Sequence, residues 1–560
     1  MASPPESNTK VTAIPYLEDI NLFASDVALQ EAMTREGAGH ASKRLAGFGL
    51  MAGSADAAEL GRLANEQFPR LMTHDRNGNR ISRVDVHPAY HDLMGMSVAE
   101  GLQASAWMQA ATPGVSARQG VYVERAGCLY MAAQADAGHL RSISMTHSAV
   151  PALSHHAQIT AKWVPKITSR SYDRRLDTVA GKTSLTLGFA FAGQLGANTE
   201  AVTTQARPLS DEGDGKLYAL SGVVPSVAAP LSDGLLVLAH TAGAASTGPS
   251  CFLVPRRLPS DQANTLFIRR LIRRVGLRSC VCADIELDAA QAWLLGEEGQ
   301  GLEVVSESIL HARLDTVIVS AGLMRQCLIQ AVHVAEHRME GGAPSISQPI
   351  VHQTLADMAL DAEVAGALGF RLARAFDRSS DARAAAWRHL MTPVSVYWVS
   401  RRAPMFAAEA IDVLGREGCS QDWPLARLYC DCPVAAMADG TANMMVHGVM
   451  RILQREPGIA ETVMEELGQA AGDDAHLRAA HVRIEAMLHD PRHLDARGRL
   501  LVEALAVLAA GTILRTHGPS AVADAFIKSR MGNQPLQSYG QGLEWADTAM
   551  IVRRASPNHA

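Results

Sequence analysis

The residues with the most obvious capacity for chemistry are those that could bind a metal ion. His333–His337 reads H-x-x-E-H within a long predicted helix, a pattern that supplies zinc ligands in one class of metalloprotease. Two Cys-x-Cys pairs, Cys280/Cys282 and Cys430/Cys432, also occur. Zinc clamps usually leave two or more residues between the cysteines, and a strand places alternate side chains on one face without any metal. We therefore predict no metal site from these residues.

The segment Asp75–Asn79 has acidic and amide side chains like those that open a calcium-binding loop. Its glycine is misplaced for such a loop, and no glutamate closes it. Instead, Asn77-Gly78 separates two alternating runs, Leu71–Arg76 and Ile81–Val86. Because Asn-Gly in this position favours the tight turn of a β-hairpin, we predict a hairpin here.

Any site must be positioned by the helices and strands of the fold. Hydrophobic periodicity divides these predicted elements into four regions. Residues 1–181 are mostly helical, 182–301 contain short apolar strands, 302–452 return to long helices, and 453–560 form a further helical segment. This order differs from the βαβ alternation of a Rossmann sheet. The glycines of Gly296–Gly301 are accordingly interpreted as a turn rather than a dinucleotide-binding loop.

Two local signals predict particular helices in the first region. Ser25-Asp26 has the character of an N-cap before a helix at Val27–Arg35. Met51–Phe68 is a longer amphipathic run that ends at Pro69, so it is predicted as one helix.

Composition restricts the class of protein and its partners. The chain has 560 residues, is 48% hydrophobic and 19% charged, and carries a formal charge of −6, so no strongly charged partner is implied. Eight cysteines scattered through a large chain favour reduced thiols. Met1–Lys10 lacks an apolar signal core, and Glu503 interrupts the longest apolar stretch, Leu500–Leu514. These features predict a cytoplasmic protein that does not cross a membrane.

The helix–sheet–helix order at this length resembles the acyl-CoA dehydrogenase superfamily, and the residues agree. Trp293–Gly301 resembles the exit from the family's β-domain, and Arg338 with Gln348-Pro349 resembles its arginine–glutamine segment. Asp439–Asn443 resembles the family's E-G-T/S-x-N loop. The following segments resemble the AidB-like branch in particular: Glu31–Gly39, Glu59–Asn65, His87–His91 and Ser250–Pro255.

This resemblance implies an α+β acyl-CoA dehydrogenase fold. Such a fold has a helical N-terminal domain (1–181), a central β-barrel-like domain (182–301), a C-terminal four-helix bundle (302–452) and, in this branch, a helical extension (453–560). It also implies FAD held between subunits of a homotetramer or homodimer. The implied reaction is α-proton abstraction by a carboxylate with β-hydride transfer to the flavin.

The family's catalytic glutamate position is occupied by Asp439. Aspartate is shorter by one carbon–carbon bond, about 1.5 Å, but an aspartate base also serves nitroalkane oxidases of the same superfamily. The resemblance therefore implies that Asp439 is the catalytic base. An alternative from the residues themselves is that Asp439 caps a helix over Gly440–Met450.

The residues implied to bind FAD depart from the family pattern in several places. Arg338 is implied to reach the pyrophosphate of a neighbouring subunit's flavin, because its forked donors suit phosphate; Gln348, Thr441 and Asn443 are weaker candidates. The strand implied to face the flavin ring contributes the positions Ala192, Gly196 and Asn198. Ala192 replaces the family's hydroxyl residue.

A second flavin-facing strand carries Pro225 where the family has a tryptophan. Because proline cannot donate a ladder hydrogen bond, Pro225 must lie at a sheet edge or a bulge.

Three functions follow as hypotheses. The first is an FAD-dependent oxidoreductase acting on a small or carrier-bound acyl substrate or another carbon acid, with Asp439 as base. The alternative is a redox-neutral enzyme on the same scaffold, catalysing an elimination or a cyclisation. The third is a DNA-binding protein of the AidB type, which acidic residues at least as numerous as basic ones from Glu456 onward disfavour; only Arg492–Arg499 forms a local basic patch.

Overall fold

The protein is described from a computed structural model. It describes residues 14–108, 119–191, 202–210, 215–241, 248–490, 494–532 and 538–558. Over these residues the predicted architecture is confirmed: a helical region precedes a sheet, and long helices follow it.

The described residues of the N-terminal region form eight α-helices and one hairpin. They are α1 (Val27–Arg35), α2 (Ser42–Ala52), α3 (Ala55–Glu66), β1 (Arg70–His74), β2 (Arg80–Asp85), α4 (Pro88–Ala99), α5 (Ser105–Met108), α6 (Val121–Ala135), α7 (Leu140–Leu153) and α8 (Ala157–Ile167). The predicted cap is confirmed, since the Asp26 carboxylate accepts from the amide of Leu29. The hairpin is confirmed as well, with Gly78 at a φ of +81° in its turn.

The prediction of one helix over Met51–Phe68 is wrong. Helix α2 ends before Gly53, and α3 begins only after Ser54, whose hydroxyl accepts a hydrogen bond from the amide of Ala57. A Cβ on Gly53 would lie 2.0 Å from the carbonyl oxygen of Ile20. Because the segment around Ile20 approaches so closely, only glycine fits at this position. Hydrophobic periodicity cannot predict such a contact.

The central region is a seven-stranded mixed sheet with the strand order β3-β5-β4-β6-β7-β9-β8. Its strands are β3 (Leu187–Phe189), β4 (Gln205–Ser210), β5 (Leu217–Ala228), β6 (Gly234–Thr241), β7 (Ser250–Pro255), β8 (Leu266–Leu271) and β9 (Cys282–Leu295). Additional pairings join β3 to β6 and β5 to β9, which curves the sheet around an apolar interior. β6 and β7 are buried along most of their length, as expected for strands covered on both faces.

The helical bundle and the extension follow the sheet. They comprise α9 (Gly301–His337), β10 (Met339–Glu340), β11 (Ala343–Pro344), α10 (Pro349–Asp377), α11 (Ala382–Ser395), α12 (Arg401–Leu414), α13 (Pro424–Ala436), α14 (Ala442–Arg455), α15 (Pro457–Ala471), α16 (Ala475–Leu488), α17 (Gly498–His517), α18 (Ser520–Met531) and α19 (Thr548–Ala555). Helices α9 and α17 are long and apolar enough to cross a membrane, but most of each apolar stretch is buried within the fold. Core helices have the same character.

Buried ion pairs fasten the extension to α10. Arg530 bonds the carboxylates of Asp357, at 2.5 Å, and Asp361, at 3.1 Å. The Tyr539 hydroxyl donates to Asp361 at 2.9 Å, and the amide of Gly540 donates to Asp357 at 2.9 Å. Both aspartates are fully buried, so the extension is an integral part of the fold rather than an appended domain.

Candidate active site

Asp439 lies in the turn between α13 and α14 and faces two other helices. Arg141 of α7 donates from both terminal nitrogens to its carboxylate, at 2.7 and 3.0 Å, and also to the carbonyl of Ala438 at 2.9 Å. The hydroxyl of Thr316 on α9 donates to the same carboxylate. Only 8% of the Asp439 side chain and 11% of the Arg141 side chain is exposed. We call Arg141, Arg313, Thr316 and Asp439 the Asp439 cluster.

The charge state of the Asp439 cluster follows from these contacts. Burial raises the pKa of Asp439, but Arg141, Thr316 and the more distant Arg313 outweigh it, and the net pKa is below its ordinary value. Burial lowers the pKa of Arg313, which Asp439 opposes and Arg451 reinforces. A carboxylate held in this way is a weaker proton acceptor than one in an apolar pocket, so Arg141 controls how strong a base Asp439 can be.

The alternative in which Asp439 caps the following helix is wrong. The cap is Thr441, whose hydroxyl accepts from the amide of Met444 at 3.3 Å, and α14 begins at Ala442. Because the Asp439 carboxylate points away from α14 toward Arg141, its position has no role in starting that helix. Asn443, two residues beyond the cap, accepts two hydrogen bonds from Arg499 of the extension, at 2.6 and 3.1 Å.

Arg338 and Gln348 occupy the far end of α9 from the Asp439 cluster. Arg338 follows the last residue of α9 and donates to the carbonyls of Val413, at 3.1 Å, and Leu414. Gln348 donates to Glu340 at 2.7 Å. Thr316 and Arg338 are separated by 22 residues of α9, which at about 1.5 Å per residue is roughly 33 Å. One chain therefore does not bring its own Arg338 to its own Asp439.

Only some of the residues predicted on the flavin-facing strands are among those that the structure describes. Ala192, Gly196 and Asn198 lie outside the described residues. Pro225 lies in β5, where the register against β9 shifts between Val224 and Val227, so the prediction of a bulge is confirmed. Pro225 and Ser226 are both exposed, and Ser226 has a φ of +56°. The bulge thus presents small side chains and backbone on its open face.

These positions permit a test of whether FAD fits the residues present. The β5 bulge is exposed at Pro225 and Ser226. Arg338 contacts the carbonyls that precede the turn at Gly415, whose φ is +66°, and it also pairs with Glu417 at 3.2 Å. A guanidinium beside a glycine-containing turn can meet a pyrophosphate, so these two features are compatible with a flavin.

A cluster of five aromatic and imidazole rings was missed by sequence reasoning. Trp107, Tyr122, His147, His311 and Phe376 have neighbouring ring centroids between 4.9 and 6.2 Å apart. They come from four helices, α5, α6, α7 and α9, and from the end of α10. No spacing along the chain relates them, so only the fold reveals the cluster.

The two histidines of this ring cluster differ in their hydrogen bonds. The Tyr122 hydroxyl bonds Nε2 of His311 at 2.9 Å, while Nδ1 of His311 faces the Glu307 carbonyl at 2.8 Å. His147 is fully buried, and by distance and angle neither of its nitrogens has a hydrogen-bond partner among the described residues. The backbone of Gln103 lies nearby and acts to raise its pKa. Burial lowers the pKa of His147 well below its ordinary value and that of His311 to about 4. Both rings are therefore neutral at pH 7.

Close to the ring cluster, Arg125 of α6 forms a buried ion pair with Asp315 of α9. Its two terminal nitrogens lie 2.5 and 2.8 Å from the carboxylate, and its Nε donates to the carbonyl of Leu102. Asp315 directly precedes Thr316 of the Asp439 cluster. The ion pair consequently fixes this part of α9 against the N-terminal region.

The metal candidates have other uses in the fold. His333 bonds the carbonyl of Pro15, His337 bonds the carbonyl of His333, and Glu336 accepts from Ser556 and Asn558. In the described ranges, no group of three or more His, Cys, Asp or Glu side chains could hold a metal ion.

A cleft of about 1110 Å³ lies apart from the Asp439 cluster. Its walls come from α3, α9, α12 and α13 and include Arg62, Gln330, Trp423 and Arg427. Arg141, Thr316 and Asp439 do not line this cleft.

Comparison with known proteins agrees with this geometry. The family model described as the adaptive response protein AidB N-terminal domain matches residues 13–174, and the model of the acyl-CoA dehydrogenase C-terminal domain matches residues 299–454. The chain is 36% identical over 512 residues to the putative acyl-CoA dehydrogenase AidB of Escherichia coli (strain K12), covering 91% of this chain and 92% of that protein. It is 24% identical over 508 residues to acyl-CoA dehydrogenase family member 11 of Caenorhabditis elegans, covering 86% and 80% respectively.

Two solved structures share the fold over most of the chain. Caenorhabditis elegans ACDH-11 in complex with C11-CoA matches with a TM-score of 0.83 at 21% identity, covering 98% of this chain and 96% of that one. The apo form of Bd2924 matches with a TM-score of 0.81 at 20% identity, covering 90% and 100%. Together with the sequence identity to the Escherichia coli protein, these matches show that the chain belongs to the acyl-CoA dehydrogenase family, in its AidB branch.

Proposed function

We propose that the protein is an FAD-dependent dehydrogenase of acyl thioesters in which Asp439 takes the α-proton. Family membership makes it an FAD-dependent oxidoreductase by class. The observation that carries the finer assignment is the buried carboxylate of Asp439, held between α7 and α9 by Arg141 and Thr316. The Caenorhabditis elegans relative was solved with an acyl-CoA, which supports a CoA thioester as the substrate class here.

Under this proposal, the described residues have separate roles in binding the cofactor and in taking the proton. Arg338 holds the loop after α12, and with the exposed bulge at Pro225 it forms the part of the surface suited to the cofactor. Bound FAD would accept the hydride from the substrate β-carbon. Asp439 accepts the proton, and because the ion pair with Arg141 lowers its proton affinity, separating the two groups would make it a stronger base. Thr316 orients the carboxylate toward α9.

The test begins with the visible absorption spectrum of the purified protein. A released flavin near one per subunit, bleached by an acyl-CoA under anaerobic conditions, is the expected result. Asp439→Asn should retain the flavin but slow its bleaching by about a hundredfold or more, since general-base catalysis contributes that much. Asp439→Glu, which restores the side-chain length of the family, is the matched control. A flavin-loaded protein in which Asp439→Asn bleaches as fast as the wild type would remove the assigned base.

A redox-neutral enzyme on the same scaffold is the second candidate. The observation that favours it is the exposed Pro225 where the resemblance implies a tryptophan beside the flavin ring. That function predicts a colourless protein that does not take up FAD, with turnover that still depends on Asp439.

Assembly, location and DNA binding stay predictions. We propose a cytoplasmic homotetramer or homodimer, because Arg338 lies too far from Asp439 to serve a flavin at the same chain's base. Several arginines of the extension are already paired with carboxylates, including Arg515 with Asp474 and Asp524. This pairing supports the expectation that duplex DNA is not a ligand.

A further inference from the structure

A small pocket beside the hairpin is lined by three arginines. Its volume is about 20 Å³, and it lies between Phe68, just before β1, and the segment that joins β8 to β9. Arg273, Arg274 and Arg278 belong to that segment, and no carboxylate is among the described residues that line the pocket. One water molecule needs roughly 10–15 Å³, so the pocket has room for a small ligand.

The three guanidinium groups are held in place by contacts that carry no negative charge. A terminal nitrogen of Arg274 donates to the carbonyl of Cys280 at 2.7 Å. Arg273 and Arg278 lie over the ring of Phe68, with their guanidinium carbons 4.7 and 4.8 Å from its centroid. A guanidinium stacked on an aromatic face keeps its in-plane N–H donors available to a ligand. The donors of the pocket are therefore positioned before any anion arrives.

The carboxylates around the pocket do not neutralise these arginines. Asp284 pairs with an arginine of β8 at 2.5 Å, and Asp431 lies 3.9 Å from an arginine of α13. Arg278 acts on Asp431 only from beyond ion-pair distance. Burial raises the pKa of the Cys282 thiol, which also lines the pocket, to about 11, so this thiol is uncharged at pH 7. The described lining residues thus carry three positive charges and no negative one.

The chemistry of the pocket suits a phosphate better than a carboxylate. Like charges confined to one small space repel one another, and a bound anion relieves that repulsion. Each guanidinium fork donates two parallel N–H bonds to a pair of oxygens. A tetrahedral phosphate offers separate pairs of oxygens to several forks, whereas a carboxylate offers one pair. A phosphate dianion also balances more of the charge.

We propose that Phe68, Arg273, Arg274 and Arg278 form a phosphate-binding site, which takes either a free phosphate ion or the phosphate monoester of a larger molecule. No member of the Asp439 cluster lines this pocket, so the site is separate from the proposed base. The inference goes beyond the dehydrogenase reaction and does not depend on it.

The test measures the binding of inorganic phosphate to the full-length protein by isothermal titration calorimetry at constant ionic strength. We expect saturable binding of one phosphate per chain. Arg273→Gln and Arg278→Gln should each weaken it about tenfold or more, because each removes charged hydrogen bonds to the oxyanion. The absence of saturable binding at millimolar phosphate, or an unchanged affinity in these variants, would overturn the inference.

A matched control separates a built site from general attraction to a basic surface. Arg269→Gln removes the same charge from an exposed position of β8 that does not line the pocket, and it should leave the affinity for phosphate nearly unchanged. A loss as large as that in Arg273→Gln would mean that phosphate senses only the net charge, and the proposed site would then be wrong.

Thermal unfolding checks that the variants fold and gives a second readout. Phosphate should raise the Tm of the wild type, because a ligand that binds only the folded state stabilises it, and it should not raise the Tm of Arg273→Gln. Arg273 is exposed, so this variant is expected to fold even where Arg278→Gln does not, and it then decides alone. Equal shifts in Tm for wild type and Arg273→Gln would contradict the site.

A further titration identifies the source of the phosphate, using CoA and dephospho-CoA, which differ by one phosphate monoester. Tighter binding of CoA that is lost in Arg273→Gln would assign the pocket to a carried phosphate. Equal affinities, with inorganic phosphate still bound, would assign it to the free ion. Both results support the site. A failure of the dehydrogenase assignment is seen separately, as a flavin that no acyl-CoA bleaches while the affinity for phosphate is intact.

Discussion

Arg125 and Asp315 form a fork-to-fork ion pair that is almost completely excluded from solvent, with 1% and 2% of their side chains exposed. It joins the first region of the chain to the helix that carries Thr316. Breaking a buried pair on one side leaves an uncompensated charge and typically costs about 3–5 kcal/mol. Arg125→Met or Asp315→Leu alone should therefore lower the free energy of unfolding by roughly that amount.

The double variant Arg125→Met/Asp315→Leu should be far more stable than the sum of the two single losses predicts, because neither charge then remains. Chemical denaturation of the four proteins gives the coupling energy directly. Strictly additive losses would show that the pair does not act as a unit.

The pH dependence of stability should reflect His311. Burial lowers its pKa from 6.5 to about 4 in the folded protein, so the unfolded chain binds a proton first as the pH falls. The stabilising contribution of the neutral ring is complete above pH 6.5 and is lost progressively between pH 6.5 and about 4. From pH 7 to 4.5 the wild type should lose about 2 kcal/mol more than His311→Gln, which has no ring to titrate. Parallel profiles for the two proteins would contradict this assignment.

His147 and His311 should respond oppositely to replacement by phenylalanine. Neither nitrogen of His147 has a hydrogen bond within the described part of the chain, so His147→Phe should leave the free energy of unfolding unchanged or raise it by about 1 kcal/mol. His311→Phe removes the partner of the Tyr122 hydroxyl and should cost about 1–3 kcal/mol. Thermal unfolding at pH 7 separates the two variants. A large loss for His147→Phe would show that the imidazole makes a hydrogen bond, with the nearby backbone of Gln103 as the first candidate.

Arg530 should be the main attachment of the extension. Its guanidinium balances Asp357 and Asp361, and Arg530→Met would leave two buried carboxylates with less compensation, at a cost of about 3–5 kcal/mol. Limited proteolysis should then cut the chain after α17 earlier than in the wild type. Arg478→Met removes an exposed pair with Asp473 and should leave both readouts nearly unchanged.

Local signals predicted much of the fold. The cap at Asp26, the turn at Asn77-Gly78 and the bulge at Pro225 each depend on the properties of one or two residues, and the structure confirms all three. The break at Gly53 was missed because its cause is the carbonyl of Ile20, which lies on another segment. Local chemistry is readable from sequence, and a contact with a distant segment is not.

In the candidate site, too, local motifs were predicted from the sequence, whereas contacts between distant segments were not. Position within a motif identified Asp439, but its partner Arg141 lies 298 residues away and belongs to no recognised pattern. The ring cluster is dispersed from Trp107 to Phe376. Such constellations depend on how α6, α7 and α9 pack together, which hydrophobic periodicity does not determine.

Helix α9 has 37 residues and spans roughly 55 Å at about 1.5 Å per residue. Thr316 lies near the middle of this helix and Arg338 directly follows its last residue, so a rigid helical segment separates them. One residue inserted between them would rotate Arg338 by about 100° relative to Thr316. Under the proposed function, such an insertion would turn the arginine away from a bound pyrophosphate. If two copies of the chain share a flavin site, this segment of α9 sets the distance between the two parts of that site, and we expect substitutions along it to be tolerated better than insertions.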